Sequence, residues 1–253
     1  MPATIRRVLI ALALALSLSG CATTTLPPEQ PPMHTVDEIK DERVNIYEDP
    51  WEGFNHNLYN FNYYFDKYFF LPVVSGYEFV TPNIVQTGVS NFFANIVELR
   101  NFTNSVFQLN GTKSATTLGR FLTNSTIGIG GLFDVATPMG LTPYKEDFGQ
   151  TLGYWGSGAG PYLVLPILGP SNVRDTTGFL VDAGIRYGVS LAIDLPHHMD
   201  KDTANAIEIG LQTLEAIDKR HNEKFRYFGS QYPFEYDMIR FFYNKKRDFE
   251  IMN

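Results

Sequence analysis

Residues 147–170 read DFGQTLGYWGSGAGPYLVLPILGP. Gly149, Gly153, Gly156, Gly158, Gly160 and Gly169 fall there beside Pro161, Pro166 and Pro170. Such punctuation argues against an ordinary helix or a paired central strand, because glycine weakens both and proline lacks the amide donor. Yet Tyr162–Leu165 and Ile167–Leu168 are apolar, whereas a solvated linker is polar. A bent, apolar, glycine-rich segment needs apolar material to lie against: the protein's own core, an acyl chain or a bilayer. Two readings stand. One is an irregular loop packed into the core. The other is a mobile hairpin-like loop at the mouth of a path for lipid. In the second, the residues that line or gate the path are Gly153, Gly156, Gly158, Gly160, Pro161, Tyr162, Leu165, Pro166 and Gly169.

The N-terminus limits where such a chain works. Arg6 and Arg7 precede an unbroken apolar run from Val8 to Leu16, too short to span a bilayer. Leu18-Ser19-Gly20-Cys21 follows, small residues before the chain's single cysteine. The arrangement resembles the lipobox of bacterial lipoproteins, and one cysteine can form no internal disulfide. That resemblance implies lipidation of Cys21, with several acyl chains that anchor firmly where one is marginal. Ala22 after the cysteine implies export onward to the outer membrane. Residues 1–20 are then a signal peptide and 21–35 a polar, proline-rich tether. Residues 36–253 form a single helical domain. Arg6 and Arg7 leave with the leader and no acidic residue does, so the net charge of −7 becomes −9. An acidic protein without a basic, aromatic-interleaved patch is not a nucleic-acid binder. Nor does its charge draw it to anionic headgroups.

The rest reads as helices. Val36–Glu48 suggests a surface helix or turn. Asp49–Leu71 is a helix capped by Asp49, with Pro50 in its first turn and Pro72 stopping it. Phe54, Leu58, Phe61, Phe65 and Tyr68 form one apolar stripe at helical period. Ten of the twenty residues from Trp51 to Phe70 are aromatic. A helix aromatic on more than one face is central to the core or lies in a headgroup layer. Asn55, Asn57, Asn60 and Asn62 count against burial of every face, since each buried amide needs partners. Pro82 opens a second helix, with Val85, Val89, Phe92, Phe93 and Ile96 on one face, running to Asn110-Gly111. A third spans about Thr112 to Asn124 with Leu118, Phe121 and Leu122, and Ile127–Gly131 is a turn of close backbone approach. Ser171 caps a helix to about Tyr187, and Pro196-His197-His198 is a turn. Asp202 or Thr203 starts a long amphipathic helix, with Ile207, Leu211, Leu214 and either Asp218 or Ile217 marking its faces. Pro233 starts the last, with Met238, Ile239 and Phe242 inward and Lys245, Lys246 and Arg247 near its end, where cations suit the dipole. The fold class is all-α with one irregular excursion.

No chemistry is specified. The chain has no phosphate-binding glycine-lysine loop, no dinucleotide fingerprint and no nucleophile elbow. His197 and His198 are adjacent and point apart, so neither metal nor cofactor is expected. Arg174-Asp175 and Lys145-Glu146-Asp147 read as ion pairs or caps.

Asp49-Pro50-Trp51-Glu52-Gly53-Phe54-Asn55 and Tyr59-Asn60-Phe61-Asn62 resemble the opening of the MlaA (VacJ) lipoproteins. So do Ser90-Asn91-Phe92, Arg120-Phe121 with Asn124, and Gly128-Ile129-Gly130-Gly131 with Asp134-Val135-Ala136. The closest resemblance is the glycine-rich stretch itself, followed by Arg174-Asp175. It implies a ring-like assembly of amphipathic helices in the inner leaflet of the outer membrane, lipid-anchored and facing the periplasm. Such a ring forms a channel that removes mislocalised phospholipid from the outer leaflet and hands it to a periplasmic lipid carrier. The family also associates with a trimeric porin, and no bond is broken. The alternative is a structural, porin-associated envelope lipoprotein that transports nothing.

Overall fold

The computed structural model describes residues 49–193, 201–230 and 232–252. The lipobox with Cys21, the tether, the segment Val36–Glu48 and the turn at Pro196–His198 lie outside the described residues. What is described is mostly helical, with one two-stranded sheet.

Helix α1, Glu52–Phe65, is preceded by Trp51 and has no side-chain cap. The Asp49 carboxylate, expected as that cap, instead takes the side chains of Asn55, Tyr236 and Arg240. Pro72 does not stop the helix. A π-helical turn, Asp66–Phe70, leads directly into α2, Leu71–Val80, and the Leu71 amide reaches back to the Asp66 carbonyl. The wider turn absorbs what proline disrupts, its missing donor and the clash of its ring with the preceding turn.

Helix α3, Asn83–Phe107, and α4, Gly111–Thr126, pack along one another as an antiparallel pair. Asn110 closes the link by accepting the Lys113 amide at 3.0 Å. In the turn after α4, Gly131 sits at φ +92° with its Cβ position only 2.6 Å from the Asn95 side chain. Only glycine fits there.

The stretch expected to hold no ordinary helix begins with one, and its second half is a hairpin, as its hairpin-like reading implied. Phe148–Tyr154 is α5, with Asp147 accepting the Gln150 amide at 2.9 Å as its cap. Tyr162–Leu165 (β1) and Gly169–Asn172 (β2) form an antiparallel hairpin, Tyr162 opposite Asn172 and Leu165 opposite Gly169. A hairpin of edge strands has room for Pro166 and Pro170 because few of its amides are needed. Gly149 permits the tightest crossing: a Cβ on Gly178 of the next helix would lie 2.2 Å from the Gly149 nitrogen.

Helix α6, Val173–Ile193, is capped by Asn172 and not by Ser171, the Asn172 Oδ1 taking the Asp175 amide at 2.8 Å. Helices α7, Lys201–Asn222, and α8, Glu235–Met252, complete the chain. The hydrophobic core is small and rich in tyrosine: Tyr59, Tyr63, Tyr162, Val164, Phe228 and Tyr236, with edge-to-face ring contacts from Tyr59 to Phe228 and Tyr236.

Candidate functional site

The helices are turned inside out relative to the usual soluble arrangement. In α1 the buried residues are Asn55, Tyr59, Asn62 and Tyr63. Of the apolar stripe, Phe54, Phe61 and Tyr68 are exposed, Tyr68 by 68%, while Leu58 and Phe65 are partly buried, Leu58 against the tyrosine core. In α3 the buried positions are mostly polar, among them Gln86, Asn95, Glu98, Asn101 and Asn104, while Val85 and Val106 are exposed. In α4, Lys113, Thr117, Arg120 and Asn124 are buried, and Leu118 and Leu122 are not. Phe242 of α8 is likewise exposed, while Arg240, Asn244 and Arg247 are buried. Among the described residues, buried polar side chains outnumber buried hydrophobic ones.

Every such group needs a partner, and the partners form three connected sets. The first holds the hairpin. Asn55 donates to the Tyr162 carbonyl at 3.1 Å and accepts the Val164 amide at 2.9 Å. Asn62 donates to the Leu165 carbonyl at 2.9 Å and accepts the Ile167 amide at 2.7 Å. Two helical turns rise about 10.5 Å, and three strand residues rise about 10 Å. Asn55 therefore meets the free edge of β1, and Asn62, seven residues on, meets its end at Leu165 and the turn residue Ile167.

The second set joins α3, α4 and the loops beyond. Arg120 pairs with Glu98 at 2.6 Å and donates to the Leu141 carbonyl at 2.6 Å. Asn124 donates to Asp134 at 3.1 Å and accepts the amides of Val135 and Ala136. Burial opposes ionisation of Asp134, but its bonds to Thr137 and Asn124, with the nearby Arg120 charge, hold its carboxyl below the ordinary range. Lys113 meets Glu146 at 2.6 Å.

The third set ties α5, α6 and α8. Arg247 grips Asp147 through both terminal nitrogens, at 2.8 and 2.7 Å, and Asp175 through Nε at 2.9 Å. Burial works against the Asp147 anion, yet Arg247 holds it below the usual carboxylate range. Asp182 runs the other way: burial raises it, only partly offset by the Phe148 amide and Asn104. Arg174 pairs with Asp175 at 3.0 Å. Arg247, Asp147 and Asp175 thus fasten α8 to the start of α5 and to α6.

The glycine-rich stretch is divided. Tyr162 is buried in the tyrosine core, Leu165 is partly buried beside it, and Gly169 is buried at φ +83°. Gly153 lies in α5, where a Cβ would meet Ile251 at 2.5 Å. Gly156, Gly158 and Gly160 are exposed in the loop between, with Pro161 partly buried at its end. Pro166 and Ile167 are exposed at the hairpin tip, and Trp155 is exposed beside the loop. Of the other motif residues, Pro50 is exposed, Gly53 and Asn60 lie on the less buried sides of α1, and Asn91 donates to the Leu132 carbonyl at 3.1 Å beside a partly buried Phe92. Gly130, at φ +68°, has open space around it.

Sequence reasoning missed Arg247 and Glu98 as members of these sets, and Glu235, which accepts from the Tyr59 hydroxyl at 2.7 Å and from the Phe228 amide. The signal was present as polar residues at helical spacing: Asn95, Glu98, Asn101, Asn104 on α3, and Arg240, Asn244, Arg247 on α8. Among the described residues no group of His, Cys, Asp or Glu could hold a metal, and no helix is long and apolar enough to cross a membrane.

Known proteins resemble this chain in sequence and in fold. The MlaA lipoprotein family model matches residues 47–250. The intermembrane phospholipid transport system lipoprotein MlaA of Shigella flexneri is 35% identical over 172 residues, 66% of this chain and 68% of its own. Its Haemophilus influenzae counterpart is 28% identical over 220 residues, 86% of this chain and 80% of its own. An uncharacterized protein of Rickettsia prowazekii is 41% identical over 138 residues, 54% of this chain, which spans 55% of that relative's length. A solved structure described as the structural basis for maintenance of bacterial outer membrane lipid asymmetry superposes with a TM-score of 0.62 at 28% identity, over 81% of this chain and 99% of its own. The chain belongs to the MlaA lipoprotein family.

Proposed function

We propose that this protein is an outer-membrane lipoprotein, anchored through Cys21 and facing the periplasm, whose helices form a ring-like channel in the inner leaflet. Mislocalised phospholipid leaves the outer leaflet through it and passes to a periplasmic lipid carrier, with a trimeric porin as a further partner. One observation carries the reading: α1 buries Asn55 and Asn62 and exposes Phe54, Phe61 and Tyr68. Water does not favour that orientation, but hydrocarbon does, because it solvates the aromatic faces and leaves the amides to bond inside. An amphiphile moves when its head meets polar groups and its tails meet apolar ones, and no covalent step is required. The relatives named as phospholipid transport lipoproteins support the same reading.

Deletion of the protein from its own bacterium tests it. Outer-leaflet phospholipid then rises and the barrier to detergent falls, and the intact chain restores both while Cys21→Ser does not. A porin-associated scaffold without a lipid path would instead leave outer-leaflet phospholipid unchanged on deletion, and that result would overturn the proposal.

A further inference from the structure

A groove of about 500 Å³ lies between the glycine-rich loop and the end of α8. Gly158, Arg174, Lys245, Asp248, Phe249 and Met252 are among its lining. The Arg174 side chain is only 4% exposed, and its Nε donates to Asp175. Its Nη2 is buried with no hydrogen-bond partner. A buried cationic N–H without an acceptor is unfavourable, so the position is suited to an acceptor brought by a ligand. Gly158, on the loop side of the groove, is exposed and has no atom within 4 Å of its Cβ position, so that side of the groove is open.

The rest of the lining says what kind of ligand. Lys245 and Asp248 face each other in a loose ion pair at 4.0 Å, both partly exposed. Phe249 and Met252 are exposed and apolar. A bare anion would satisfy Arg174 but crowd Asp248 and leave the apolar wall unused. A head carrying both a phosphodiester and an ammonium group, with acyl chains attached, uses every feature. The phosphate oxygens accept from Arg174 and Lys245, the ammonium meets Asp248, and the chains lie on Phe249 and Met252.

We propose that this groove is the headgroup site for a zwitterionic phospholipid, with Arg174 Nη2 donating to the phosphodiester and Asp248 accepting from the amine. The inference rests on the lipid-path reading above and adds the class of lipid.

The test uses the full chain with a benzophenone amino acid at position 252. It is exposed to vesicles of phosphatidylethanolamine or phosphatidylglycerol, with and without equimolar inorganic phosphate. The adduct with phosphatidylethanolamine exceeds that with phosphatidylglycerol by about five- to tenfold, the worth of one such contact. Equimolar inorganic phosphate leaves it unchanged. Arg174→Gln lowers the adduct. The partly exposed variants Lys245→Glu, which also lowers it, and Asp248→Lys, which reverses the lipid preference, keep the test valid if Arg174→Gln unfolds. Equal adducts from both lipids, unmoved by Asp248→Lys and Lys245→Glu, would overturn the proposal, as would loss of the adduct to inorganic phosphate. Transfer of lipid from these vesicles to acceptor vesicles is followed in parallel. Transfer without an adduct sinks this site alone, whereas absence of both sinks the transport reading with it.

Discussion

Asn62 and Ile167 lie 105 positions apart, yet the Ile167 amide donates to the Asn62 side chain at 2.7 Å. With the Asn55 bonds two turns earlier, this bond fixes the hairpin to α1: Asn55 completes the free edge of β1 and Asn62 holds the turn. The hairpin depends on a helix that is itself aromatic on its outer side.

Asn55→Leu therefore strands the Tyr162 carbonyl and the Val164 amide in the interior. The expected loss is on the order of 3 kcal/mol, since each buried group left unpaired costs about 1–3. Thermal unfolding in detergent should show a midpoint lower by roughly 10 °C.

The outer face should behave in the opposite way. Phe61→Ser and Tyr68→Ser remove exposed rings, so each should change stability in detergent by no more than about 0.5 kcal/mol. Together they should weaken vesicle binding by a chain lacking its lipid anchor, since each ring gives up about 1.5–3 kcal/mol of burial in hydrocarbon. Vesicle flotation reads the difference.

Arg247 stands between two carboxylates, Asp147 and Asp175. Arg247→Met leaves both without their shared cation in a closed site. A loss of about 3–5 kcal/mol follows from breaking such a buried set, measurable by denaturant unfolding.

Asp147 and Asp134 are held below the ordinary carboxyl value of 3.8. A depressed folded pKa gives stability that is complete above the unfolded value and lost as pH falls through the folded one. Stability should thus decline below about pH 4. Asp182 is raised by burial and works in the opposite direction. Asp147→Asn should flatten the acid limb, which urea unfolding at a series of pH values will show.

Glycines should divide by their surroundings. Gly178→Ala drives a Cβ to 2.2 Å from the Gly149 backbone and should unfold the α5–α6 crossing, with losses at the upper end for overpacking, about 3 kcal/mol or more. Gly158→Ala meets open space and no left-handed backbone, and its melting point should stay within about 2 °C of the parent.

Helix positions were legible because periodicity does not depend on the solvent. Val85 to Val106 and Leu118 to Leu122 mark true helices. Which face is inside was not legible from that rule, because it assumes water outside. The polar stripe Lys113, Thr117, Arg120, Asn124 has the same period as the apolar one and is the side that packs. The four asparagines of α1 signalled the choice, and Asn55 and Asn62 are the two that the hairpin selects. Pro72 misled because proline ends an α-turn, whereas the π-turn before it leaves room. In the glycine-rich stretch the hairpin was legible from Pro166 to Gly169 between two short apolar or extended runs, whereas helix α5 was not, because Gly149 and Gly153 are there for close helix packing and not to break the helix.

The central claim is that apolar helix faces seat this protein in a leaflet while its polar interior lets phospholipid through. Full-length protein reconstituted in vesicles whose outer leaflet carries fluorescent phospholipid measures it directly. The account predicts that the labelled lipid leaves that leaflet faster than from empty vesicles, and that a disulfide pinning the Gly156–Gly160 loop to α8 slows it to the empty-vesicle rate. Movement no faster than in empty vesicles, from protein shown to be folded and inserted, would contradict it.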